Sequence, residues 1–154
     1  MRLLILALAL ALSTLVLLVI RLAPMPPDRW HLDPSMAERP GTPNAYLLRD
    51  RDGDGPSMLF AASPAAVAQA LDQMLATAPR VTRIAGSAAE GLVTYVQRSR
   101  ILGFPDAISI RLTPENDGTR VEIFSRSRFG YGDAGVNRAR VIRWMDRLGQ
   151  TLTP

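Results

Sequence analysis

All eighteen strongly basic residues of this sequence are arginine, and lysine is absent. Six of them, Arg98, Arg100, Arg111, Arg126, Arg128 and Arg138, have spacings that would gather guanidinium groups in one place. Five of the six alternate with other residues along three successive β-like stretches, and Arg120 falls in the same pattern. Alternate residues of a strand share a face, so neighbouring strands would collect these side chains on one side of a sheet. A guanidinium presents a planar fork of donors to carboxylate or phosphate. Such a face suits an anionic ligand, a lipid headgroup or a protein partner. Ahead of Arg138, the run Gly130-Tyr-Gly132-Asp133-Ala-Gly135 reads as a tight turn entering a helix. The free amides of a helix start attract anions, but Asp133 would take them itself as an N-cap. The plainer reading is that Asp133 and Glu122 pair with nearby arginines and hold the turn and the sheet in register.

Three carboxylates, Asp106, Glu122 and Asp133, carry the alternative of an enzyme working by acid/base chemistry. That chemistry needs a paired group or a shifted pKa, and spacing reveals neither. Ser125 and Ser127 have no base beside them, because the single histidine, His31, lies far away in the sequence. Binding is therefore the expected role and catalysis the alternative, with catalytic residues unassigned. There is no cysteine, which removes disulfides, thiolate metal sites and cysteine catalysis. Asp50-Arg-Asp52-Gly-Asp54-Gly55 opens like a calcium loop, yet the twelfth position, where a bidentate glutamate belongs, is Ala61, and the seventh is Pro56. It reads as a solvated turn, and neither metal nor cofactor is expected. Residues 80–154 hold twelve arginines against seven acids, which favours anionic partners. Without stacking aromatics between the basic residues, nucleic acid is not expected among them.

Three segments must position these residues. Residues 3–22 are apolar except for Ser13, Thr14 and Arg21. Eighteen uncharged residues make a helix of roughly 27 Å, close to the hydrocarbon thickness of a bilayer. A cleaved signal peptide would place Arg21 and Pro24 badly around a cleavage site after Ala23, so residues 1–22 are expected to anchor the chain in a single pass. Arg2 and the terminal amine suggest an N-inside signal-anchor, with the domain periplasmic if the source is Gram-negative. Half of the twelve prolines fall between Pro24 and Pro43, and residues 23–45 read as an extended, semi-rigid tether. Trp30 within it suits either the membrane interface or an edge of the domain. His31 reads as a surface or packing residue.

Residues 46–154 are expected to form one α+β domain. Ser63-Pro64 starts a helix with an N-cap and a first-turn proline. Its apolar stripe runs through Val67, Ala70, Leu71, Met74, Leu75 and Ala78, and Pro79 stops it. Strand signals cover residues 57–60, 80–85, 91–102, 107–113 and 119–127, with a turn at Pro114–Gly118. Ile108, Ile110, Leu112, Val121 and Ile123 point inward; Arg120, Glu122, Phe124, Arg126 and Arg128 point outward. A last helix should begin at Asp133 and end near Leu148, burying Ala134, Val141, Met145 and Leu148 with Trp144 at the flank. The order β-α-β-β-β-β-α predicts an antiparallel sheet of four to five strands with two helices on one face and an open, arginine-rich face opposite. A helix-grip-like curved sheet is the alternative.

Several runs look familiar: Pro43-Asn44, Tyr95-Val-Gln-Arg98-Ser-Arg100, Gly103-Phe-Pro-Asp106, Glu122-Ile-Phe-Ser-Arg126-Ser-Arg128 and Gly132-Asp-Ala-Gly-Val-Asn-Arg138-Ala-Arg140. Together they resemble the family known as domain of unknown function 1499, over most of the region after the tether. The resemblance implies an N-terminal apolar segment, as in many members, but no activity, cofactor or site residue. Where many members have cysteine after Pro-Asn, this chain has Ala45. The expected protein is thus a membrane-anchored, non-catalytic binding domain.

Overall fold

The structure, a computed structural model, describes residues 1–153. An apolar helix α1 (Arg2–Arg21) buries none of its residues against the rest of the chain. A single turn α2 (Pro27–Trp30) follows, then strands β1 (Ala45–Leu48) and β2 (Met58–Phe60). Helix α3 (Pro64–Ala76) leads to β3 (Val81–Ser87), β4 (Leu92–Arg98), β5 (Pro105–Glu115) and β6 (Gly118–Ser127), and α4 (Val136–Leu152) closes the chain.

All six strands form one antiparallel sheet in the order β1-β6-β5-β4-β3, with β2 also on β6. β1 pairs with residues 123–126 of β6 and β2 with residues 119–121, so the two short strands share one edge end to end. The Asp/Gly loop between them is held by its own acids. Asp54 accepts from the Leu47 amide at 2.8 Å, and Asp50 accepts from the Ser57 amide and hydroxyl at 3.0 and 2.7 Å. Arg49 pairs with Asp52 at 3.0 Å.

The expected α+β class holds, with α3 and α4 on one face. Ser63 caps α3 through the Ala66 amide, and Pro64 occupies its first turn. Val67, Leu71 and Met74 of α3 meet Val141, Met145 and Leu148 of α4 over Val93, Ile108, Ile110, Val121 and Ile123. Two details differ. β1 is an additional strand, too short and too close to the prolines to show an alternating pattern. α4 begins at Val136, and Ala134, expected in its buried stripe, is exposed with φ +52°.

The larger correction concerns the second face, which is not open. Residues 23–37 lie across it as a strap: Ala23, Met25, Trp30 and Ala37 are buried there. Met25 and Trp30 pack on Val96 and Ala107, and Ala37 packs on Leu47 and Phe124. Proline-rich chain has few donors to satisfy, so it can lie on a sheet face without a ladder. What drives it there is the apolar surface that Val96, Ala107 and Phe124 present on the outward register.

A candidate anion pocket under the strap

The strap is fastened largely by the arginines of the sheet. Arg98 donates from Nη1 to the Arg21 and Gly103 carbonyls at 2.9 and 3.3 Å and from Nη2 to the Ala23 carbonyl at 2.8 Å. Arg128 donates to the Pro24 carbonyl. Arg111 pairs with Asp33 of the strap at 3.4 Å. Each carbonyl so engaged belongs to backbone that has no sheet partner, which resolves a cost that buried backbone would otherwise carry. Arg120 turns instead to Glu115 and Asp50, at 2.9 and 3.4 Å. Arg100 and Arg138 are exposed. The six arginines singled out by their spacing therefore do not converge on one site.

Arg126 is the exception in kind. Its side chain is sandwiched between Trp30 and Phe124, with the guanidinium carbon 5.1 and 4.7 Å from the two ring centres. Nη2 donates to the Trp30 carbonyl at 2.9 Å. Nη1 is buried without a partner, and so is Nε1 of Trp30. The residue is only 8% exposed. Burial pushes its pKa down to about 10, so the group still carries its charge at neutral pH. No carboxylate balances that charge: Arg126 forms no salt bridge with any described residue. It lines a pocket of about 350 Å³ together with Arg29, Arg128, Thr42, Asn44 and Ser127, and no acid lines it. An unpaired buried cation flanked by two more cations and by hydroxyl and amide groups is an arrangement that an anion would complete.

A different arrangement lies on the other side of β6. Arg140, 4% exposed, donates to Asp106 at 2.5 Å, to Gln97 at 2.7 Å, to Ser125 at 2.9 Å and to Asn137 at 2.6 Å. Asn137 in turn donates to the Asn44 carbonyl and to Ser127, at 2.9 and 3.0 Å. Asn44 reaches the Gly130 carbonyl at 2.6 Å. This network ties α4, β4, β5, β6 and the chain before β1 together. Reading the arginines of the last helix as its outer face misses Arg140, yet Asn137, Arg140, Val141, Trp144, Met145 and Leu148 follow one three-four spacing and are all buried.

The three carboxylates are likewise placed apart in role. Asp106 is held by Arg140. Asp133 accepts from the Gly135 and Asn137 amides at 3.0 and 2.7 Å, so it caps α4 from two residues before the N-cap position, Gly135. Gly130 and Gly135 have φ of +89° and +78°, the left-handed backbone that this turn requires; Gly132 has a free flank. Asp106 and Asp133 both border a cavity of about 360 Å³ walled by Phe104 and Phe129, while Glu122 faces the strap side. Burial raises the Glu122 pKa, with Arg120 opposing and Asp33 and Asp50 adding to the rise. His31 packs against the sheet, its Nδ1 2.8 Å from the Thr94 hydroxyl.

The same turn and network residues fall within a family match. The family described as "Protein of unknown function (DUF1499)" matches residues 35–148. The chain belongs to this family. The DUF1499 match takes in the Asn44–Asn137–Arg140 network and Arg126, whereas Met25 and Trp30 of the strap lie before it. The fold is similar to that of the crystal structure of protein CV1439 from Chromobacterium violaceum, at a TM-score of 0.51 and 14% identity over 73% of this chain and 99% of that one. No curated protein matches the chain.

Proposed function

We propose that the protein is a membrane-anchored, non-catalytic binding domain whose ligand is an anion seated beside Arg126. The observation that carries this reading is the buried Arg126 guanidinium, which has a free Nη1 and no carboxylate facing it. Arg29 and Arg128 add charge at the pocket, and Thr42, Asn44 and Ser127 add neutral polar groups. Anchoring rests on α1, the one helix among the described residues long and apolar enough to cross a bilayer, none of whose residues is buried against the domain. The notion of a broad arginine surface narrows to this single pocket, since Arg98 and Arg111 hold the strap and Arg120 pairs with Glu115 and Asp50.

Thermal melting of the full-length protein in detergent tests the reading, with inorganic phosphate and sulfate as probes. A ligand that binds only the folded state stabilises it by about 2.7 kcal/mol at a hundred times its Kd. Phosphate or sulfate should raise the Tm of the native protein and leave that of Arg126→Met unchanged. Methionine fits between Trp30 and Phe124 and removes a buried charge, a replacement that is often neutral or stabilising. An equal anion-dependent shift in both proteins, or none in either, overturns the assignment.

A further inference from the structure

A second cleft, of about 490 Å³, opens where α1 meets the sheet, and Arg21 and Leu22 from the end of that helix form part of its wall. Its other sides come from the strap, the β3–β4 edge and the loop at Ser99 and Gly103. Arg21, Arg80 and Arg98 line it, no acid does, and Met25, Ile84 and Val96 supply an apolar floor. Arg98 is committed to carbonyls. Arg80 uses Nε on the Arg98 carbonyl at 3.1 Å, and its two Nη groups meet no described residue. Arg80 also holds a left-handed backbone, φ +57°, which a side chain adopts only when its surroundings fix it.

The neighbouring loop adds an independent observation. Ile101 is 81% exposed and Leu102 42%, next to the exposed Arg100. Arg21 donates from Nη1 to the Ile101 carbonyl at 3.3 Å, so this apolar tip stands beside the end of α1. Large aliphatic side chains flanked by arginine, at the mouth of an apolar helix, are what a bilayer interface accepts.

We infer that this end of the domain is a lipid-binding surface, in which Ile101 and Leu102 enter the interface and the cleft takes the headgroup of an anionic phospholipid through Arg21 and Arg80. The inference rests on the reading of α1 as a membrane anchor, and it concerns a site separate from the Arg126 pocket. The lipid comes from the leaflet that α1 leaves, because Arg21 and Leu22 belong to both the helix end and the cleft. An apolar floor under a cationic rim matches the join between a phosphate and the first carbons of a lipid better than it matches a free, fully hydrated phosphate.

The absence of cysteine makes the test specific, since Ile101→Cys introduces the only thiol for labelling. The labelled full chain is placed in nanodiscs of phosphatidylcholine with or without phosphatidylglycerol, and quenching by headgroup-level nitroxide lipid is read. Phosphatidylglycerol retained by the unlabelled protein is measured by native mass spectrometry. The label should be quenched, and Arg80→Gln should lower the retained phosphatidylglycerol about fivefold, the effect of one cation near an anionic surface. Arg80 sits at the surface, and an unchanged Tm shows that its variant is folded. Extraction of the chain from membranes by alkaline carbonate sinks the anchor reading and this inference with it. A chain that resists extraction but shows no quenching at position 101 overturns the docking surface and leaves the anchor standing. Equal lipid retention by Arg80→Gln overturns the headgroup site, as does equal displacement of the lipid by millimolar phosphate from both proteins.

Discussion

Arg126 and Arg140 are both buried arginines, and they differ in what faces them. Arg140 meets Asp106 and three neutral acceptors, so every part of its charge is answered inside the protein. Removing one member of such a pair leaves the other charge buried and alone, at a cost of about 3–5 kcal/mol. Arg140→Met should therefore lose roughly that amount in urea unfolding, and adding Asp106→Leu should recover much of it. Equal losses in the single and double variants would mean that the ion pair is not what the fold depends on. Sequence periodicity contained the clue to Arg140: it occupies a position of the same stripe as Val141 and Leu148. Reading that stripe as purely apolar extends it to Ala134 instead, past the true start of α4. The Arg126 site was legible only in part. Alternation placed the residue on the outward register, but an outward register does not tell whether another segment lies on top.

That segment is the strap, and its recognition depends on a different pattern. A proline-rich stretch without periodicity reads as a tether because nothing in it repeats. The surface it covers is more informative: Phe124, Val96 and Ala107 occupy outward positions, and a face exposed to water would not need all three. β1 was hidden for a related reason, since four residues are too few for alternation to stand out from the prolines before them. Helix α3 was legible at both ends because Ser63, Pro64 and Pro79 act locally and need no tertiary partner. The strap's own attachment should hinge on Trp30, which contacts both the apolar patch and Arg126. Truncating a buried tryptophan costs about 3–5 kcal/mol when its surroundings cannot collapse. Trp30→Ala should speed hydrogen exchange in residues 23–37 and at the Arg126 amide while leaving α3 protected. Uniform acceleration across the whole domain would show that the strap does not detach as a unit.

For the molecule as a whole, the sheet is a partition with helices on one side and a pinned strap on the other. Burying Glu122 under that strap has a signed consequence for stability. Its folded pKa is raised, chiefly by burial, so the protonated form is favoured in the folded protein. The associated stability is fully present below the unfolded pKa and is lost as pH rises through the raised value. Glu122→Gln should raise the Tm at about pH 7 more than at about pH 4, flattening the profile across that interval. A larger gain at the acid end would reverse the sign and rule out this account.

The clamp at the end of α1 has a mechanical consequence. Arg98 holds the Arg21 and Ala23 carbonyls, and Arg128 holds Pro24, so almost no slack chain separates the helix from the sheet. With α1 in a bilayer, the domain would not swing on a leash. It would behave as the head of a rigid lever, and a change in the helix's tilt or rotation would become a torque on β4 and β6, reaching the Arg126 pocket through the same strap that roofs it.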